Sequence, residues 1–180
     1  MSLRLRIVPD PPPDAVRRWA LRALFRATVD AFGSPMPCVR GRSSDRLLDA
    51  YTSRSDELAR AVLEDADRRR YVEARLSANT GRLGRRIRRA LGIRSTDDAL
   101  EAARRLYALI GIDLRARDPH RVVVSRCAFA SRYSPEVCGV MAAADAGLFE
   151  GLTGGARLTF LERITTGAPA CVATLEGPHR

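Results

Sequence analysis

Lysine and glutamine are both absent from this 180-residue chain; all 31 basic side chains are arginine, against 21 acidic ones, for a formal net charge of +10. A basic surface built for an anionic partner normally mixes lysine with arginine, because both serve as phosphate contacts. An arginine-only excess in a chain rich in Ala, Gly and Leu carries the stamp of GC-rich coding instead, which raises the charge without any anionic partner. No uninterrupted apolar run approaches the roughly 20 residues that a membrane-crossing helix needs. The opening MSLRLRIVPDPPP lacks the apolar core and cleavage site of a signal peptide. The expectation is a cytoplasmic chain. No C-x-x-C pair, the usual zinc signature, is present. The four cysteines, Cys38, Cys127, Cys138 and Cys171, therefore read as thiols or dispersed ligands rather than as a disulfide frame.

What is present describes a folded protein. The chain is 46% hydrophobic and 29% charged, which excludes a mostly disordered polymer, and its length suits one domain, 1–180. Charge divides that domain. Residues 1–117 hold 25 Arg against 15 acids, a balance of +10, whereas residues 118–180 hold 6 of each and are neutral.

Residues 1–111 read as a mainly helical, basic part. Asp14 is the expected N-cap of a first helix with Val16, Trp19, Leu21, Leu24, Phe25 and Val29 at its apolar positions, stopped by Gly33-Ser34-Pro35. A second helical stretch is expected from Asp45 to Leu76, broken at Asn79-Thr80-Gly81, and a basic helix follows as far as Leu91-Gly92. A fourth opens at Ser95 or Thr96 and stops at Gly111.

Beyond Gly111 the periodicity shifts. Ile112–Arg115 and Arg121–Arg126 form a hairpin signal around Asp118-Pro119, and Ser134-Pro135 opens a helix. Segments 156–164 and 170–175 then pair about Gly167-Ala168-Pro169. Residues 112–177 are thus a β-β-α-β-β module carrying three of the four cysteines. The fold class expected is α+β, with N-terminal helices packed on a small four-stranded antiparallel sheet.

The segment from Arg126 to Cys171 resembles the C-terminal core of the 4-vinyl-reductase-type ligand-binding domain and of the L-2-amino-thiazoline-4-carboxylic acid hydrolase family. The elements that carry the resemblance are Cys127 ending a strand, Cys138 opening a helix and Asp145 within it. Phe160 and Arg163 follow on a strand, and Gly167 and Cys171 close the pattern. The resemblance covers about a third of the chain. It implies a fold related to domains of nitric-oxide signalling and Golgi transport, with helices over a small sheet enclosing an apolar pocket. By that resemblance the chain is a sensor-like small-molecule-binding domain, with Arg163, Phe160, Tyr133 and Phe129 about the ligand. The hydrolase likeness instead implies a ring-opening enzyme acting at C–N or C–S bonds through Cys138 and Asp145. In several sensor domains of this type cysteines and a glutamate bind zinc. The ligand positions expected at Phe160 and Arg163 cannot do so here, so a zinc set would draw on Cys127, Cys138, Cys171 and Glu162, or His120.

Each sharp reading has a plain counterpart. Free cysteine is a common buried small hydrophobe. A nucleophilic thiol needs a lowered pKa, which the first helical turn offers Cys138, and a Cys-His dyad would require His120 to reach across, since His179 is near the chain end. A carboxylate beside an arginine, as Asp145 or Glu162 beside Arg163, is commonly an ion pair. Trp19, Phe25, Tyr51, Tyr107, Phe129, Tyr133, Phe149 and Phe160 line a cavity or fill a core. Between Glu73 and Asp97 no acid occurs, and Arg82, Arg85, Arg86 and Arg89 surround a Leu83, Ile87, Leu91 stripe. This basic helix suits a polyanion, including nucleic acid, or is solvated surface. The favoured partner is a small-molecule ligand, with a homodimer open.

Overall fold

Among the described residues, four helices precede the first strand. The computed structural model describes residues 13–177, so the first twelve residues and His179 lie outside the described residues. The elements are α1 (Asp14–Ala31), α2 (Ser44–Arg60), α3 (Ala66–Leu91), α4 (Thr96–Leu109), β1 (Ile112–Asp118) and β2 (Arg121–Cys127). Then come α5 (Pro135–Thr153), β3 (Arg157–Glu162), a single 3-10 turn (Ile164–Thr166) and β4 (Cys171–Glu176). The architecture is α+β, and the β-β-α-β-β order of residues 112–177 is present.

The sheet is antiparallel throughout, in the order β1-β2-β4-β3. Its register sets Leu114 opposite Val124, Val122 opposite Ala173, and Leu158 opposite Leu175. All six are buried and join one core with the helices. Alternation puts the intervening residues on the other face, and Arg115, Arg157 and Thr159 there are exposed. The alternation fails at the end of β3, where the register shifts between Phe160 and Glu162. Phe160 is half-buried and Glu162 is exposed instead of sharing the burial of Leu158.

Helix boundaries follow local chemistry. Ser95 Oγ accepts from Asp98 N at 3.1 Å and Ser134 Oγ from Val137 N at 3.3 Å, each quenching an orphan donor of a first turn. Pro135 occupies the first position of α5, where its missing N–H costs nothing. At the start of α1, Pro13 precedes the helix and Asp14 lies inside it, paired with Arg18 one turn on. Asp14 is therefore not the cap that its side-chain type suggested.

The stretch from Asp45 to Leu76 is two helices rather than one. The chain leaves α2 after Arg60, and Asp65 restarts it by accepting from Asp67 N and Arg68 N at 3.1 and 2.9 Å. Nor does Asn79-Thr80-Gly81 break anything, because α3 runs through it for 26 residues. Glycine in a helix interior loses about 1 kcal/mol relative to alanine. Here the gain is contact with α5. A Cβ on Gly84 would come within 2.6 Å of Leu148 O and 3.0 Å of Gly151 Cα; one on Gly147 would strike Ser77 O, and one on Gly151 would strike Gly81 O. Gly81 and Gly84 of α3 thus lie against Gly147 and Gly151 of α5, backbone on backbone.

Among the described residues no helix is long and apolar enough to cross a membrane.

Candidate functional site

One face of α5 organises the site. Cys138, Met141, Ala142, Asp145 and Leu148 follow one another at i, i+3, i+4, i+7 and i+10, a single helical stripe, and all line an internal cavity of about 130 Å³. The opposing walls come from α1 (Trp19, Ala20, Ala23, Leu24), α3 (Leu83, Ile87) and α4 (Leu106, Tyr107, Ile110). Tyr51 of α2 and the turn residues Phe129 and Tyr133 form an aromatic wall. The Phe129 and Tyr133 rings stack with centroids 5.4 Å apart, and Tyr51 meets Phe129 edge-on at 5.7 Å. The cysteine end closes the cavity with Cys127 at the end of β2, Cys171 at the start of β4, and Ile164 and Thr165 of the 3-10 turn.

The lining contains a single ionisable carboxyl, Asp145. Tyr107 donates its hydroxyl to Asp145 Oδ1 at 2.6 Å. Burial drives the Asp145 pKa up to about 6, opposed by the Tyr107 hydrogen bond and by the positive charge of Arg163. Tyr107 is itself raised by burial and by the neighbouring Asp145 charge, so it stays a donor at neutral pH. The aromatic wall is similarly fixed by hydroxyl contacts: Tyr133 Oη lies 2.5 Å from Ser55 Oγ, and Tyr51 Oη 3.4 Å from Thr28 Oγ1.

The structure gathers Cys127, Cys138 and Cys171 around the cavity, as expected from their positions at element ends. Burial raises Cys127 to about 11 and also raises Cys138 and Cys171. For Cys138 the nearby Thr165 hydroxyl and Arg163 charge oppose burial without outweighing it, so the helix N-terminus does not produce the low-pKa thiolate anticipated from sequence. Ile164 N donates to Cys171 Sγ at 3.4 Å.

His120 sits in the turn before β2, at the opposite end of that strand from Cys127, about 23 Å away at strand spacing. A Cys-His dyad is not assembled. Glu162 is exposed at the end of β3 and does not line the cavity. Among the described residues no group of three or more His, Cys, Asp or Glu is placed to hold a metal. Of the set Cys127, Cys138, Cys171 and Glu162, the three cysteines line the cavity and Glu162 stands apart from them.

Phe129 and Tyr133 line the cavity, whereas Phe160 and Arg163 do not. The Arg163 guanidinium lies over the Phe160 ring, 5.3 Å from its centroid, and its buried Nε has no hydrogen-bond partner. It acts on Asp145 and Cys138 through its field rather than by contact with the cavity. Of the other aromatics, Trp19, Tyr51 and Tyr107 line the cavity and Phe25 and Phe149 are core. Sequence reasoning missed Thr165, a cavity-lining residue whose hydroxyl acts on the Cys138 thiol. No periodic signal could have found it, because a 3-10 turn has too few residues to show one.

The arginine helix divides. Arg82 and Arg86 line an open groove of about 1150 Å³ between α1 and α3, whereas Arg85 and Arg89 do not. Compared with family models, with curated proteins and with solved structures, the chain matches none.

Proposed function

We propose that the chain is a small-molecule-binding domain of the 4-vinyl-reductase type, with its ligand inside the cavity at the cysteine end. The observation that carries this reading is the pairing of an apolar cavity with one buried carboxyl held by a tyrosine. Apolar cavities of about 150 Å³ admit benzene, so a volume of about 130 Å³ suits one small ring or a short branched chain. Asp145 then selects the polar group. A ligand donor such as an amine or a hydroxyl satisfies the carboxylate, while a ligand carboxylate inside the cavity would meet a like charge in an apolar setting.

The experiment uses the single tryptophan. Trp19 lines the cavity and is 58% exposed, so its emission reports entry at that point. Titration with benzylamine, toluene and benzoate is expected to give saturable shifts for the first two, benzylamine binding tighter and benzoate weakest. Failure of all three to shift the emission or raise the melting temperature would sink the proposal.

The hydrolase reading is second, favoured by the placement of Cys138 and Asp145 on one cavity-facing stripe. It requires that Cys138→Ala and Asp145→Ala each abolish turnover of a cyclic thio-amidine. The raised pKa of Cys138 weighs against it.

A further inference from the structure

The groove between α1 and α3 gathers six arginines along one concavity. Several arginines outside it pair with acids: Arg17 with Asp45, Arg60 with Asp56, Arg69 with Glu73, and Arg104 and Arg105 with Glu101. Among the described residues the groove is lined by Arg22, Arg26, Arg40, Arg75, Arg82 and Arg86 against a single acid, Asp30. None of the six has an ion-pair partner among the described residues. Arg75 donates to Tyr71 Oη and the Asp30 carbonyl, and Arg82 to Asn79 Oδ1, all neutral acceptors.

Helical spacing builds this arrangement. Arg22 and Arg26 are one turn apart on α1; Arg75, Arg82 and Arg86 follow at i, i+7 and i+11 on α3, and Arg40 comes from the loop between α1 and α2. Asn79 Nδ2 donates to the Ala27 carbonyl at 2.8 Å and ties the two helices together. Like charges one turn apart repel, and a concave surface of one sign focuses its field on whatever anion enters. Guanidinium forks lining one groove from three segments suit a multiply charged head such as a phosphate.

The groove does not stand alone. Trp19, Ala23, Leu83 and Ile87 line both it and the apolar cavity, so the two spaces adjoin along one seam. We infer that the two form one bipartite site for an amphipathic phosphate, its small apolar or aromatic end in the cavity and its anionic head among the groove arginines. This rests on the cavity reading above and adds the chemical class of the ligand. The seam favours this occupant over a polymer backbone, which would follow the arginines and have no use for the cavity.

Calorimetric titration of the full chain separates the claims, using 4-phenylbutyl phosphate, 4-phenylbutanol and inorganic pyrophosphate. The phosphate is expected to bind at least about tenfold tighter than the alcohol at low salt, and the gain to shrink as salt rises. The double variant Arg22→Ala/Arg86→Ala removes that gain and leaves the alcohol's affinity unchanged; both residues are exposed, and a preserved melting curve confirms the fold. An alcohol that binds with no gain from phosphate overturns this inference and leaves the cavity reading standing. Pyrophosphate binding without either phenylbutyl probe overturns both. A single-stranded RNA oligonucleotide, or vesicles of phosphatidylglycerol, outcompeting the phenylbutyl phosphate would overturn it in favour of a polymer or membrane surface.

Discussion

Tyr107 of α4 holds Asp145 of α5 by a 2.6 Å hydrogen bond in the wall of the apolar cavity, and among the described residues no other carboxyl lines that cavity. The sign of its pH dependence follows from the raised pKa. Unfolded, Asp145 titrates near 3.8; folded, near 6. Between those values the folded state holds the extra proton, so stability is fully present below pH 4 and falls as pH rises to about 6. A shift of that size corresponds to about 3 kcal/mol. Asp145→Asn keeps an acceptor for Tyr107 and removes the charge. Relative to the parent it is expected to gain roughly 2–3 kcal/mol between pH 4 and pH 7. Urea unfolding at the two pH values measures this, and a pH-independent difference would contradict it.

The glycine seam makes a prediction that runs against helix propensity. Alanine is worth about 1 kcal/mol over glycine in a helix, yet Gly147→Ala or Gly151→Ala would drive a methyl group into a backbone carbonyl of α3. Each is expected to destabilise by roughly 2–4 kcal/mol. Gly81→Ala is the control. Its Cβ would lie 3.3 Å from Gly147 O and from the movable Arg85 guanidinium, so its net effect should stay within about 1 kcal/mol. Equal effects at Gly81 and Gly147 would refute the close approach.

Filling the cavity should separate binding from stability. Ala144 lines it and is buried. Ala144→Leu places new methyl groups in empty space, so stability is expected within about 1 kcal/mol of the parent. The benzylamine response should be lost. Retained binding would place the ligand elsewhere.

Thiol reactivity ranks the cysteines. Cys38 is exposed, whereas burial raises the other three. At pH 8 an aromatic disulfide reagent should label one thiol quickly and three slowly, and Cys38→Ser should erase the fast phase. A fast phase surviving that change would mark an activated thiol at the cavity and revive the nucleophile reading.

How far the sequence carried these conclusions varies by element. The β-β-α-β-β order was legible because Ser134-Pro135 marks a helix start and Gly111 and Gly154-Gly155 punctuate its neighbours. The gathering of Cys127, Cys138 and Cys171 was legible from their places at element ends. The continuity of α3 through Gly81 and Gly84 was not, because local propensity disfavours it and contact with a helix about 60 residues away in sequence decides it. Asp65 was a readable cap, masked by the long apolar stripe on both sides of it. Phe160 and Arg163 were set about the ligand by family resemblance and not by strand alternation, and neither lines the cavity. Tyr107 was readable only as an apolar-stripe aromatic; its hydroxyl's need for an acceptor was the unused signal.

The backbone contact between α3 and α5 bears on selectivity. Leu83 and Ile87 stand on one side of it, Asp145 and Leu148 on the other, and all four line the cavity. Helices touching through glycine have no intervening rotamers to yield, so the pair behaves as a fixed calliper. Chemical variety in the ligand would then be tolerated at the arginine end, where long side chains adjust, while ring width is gauged at the other.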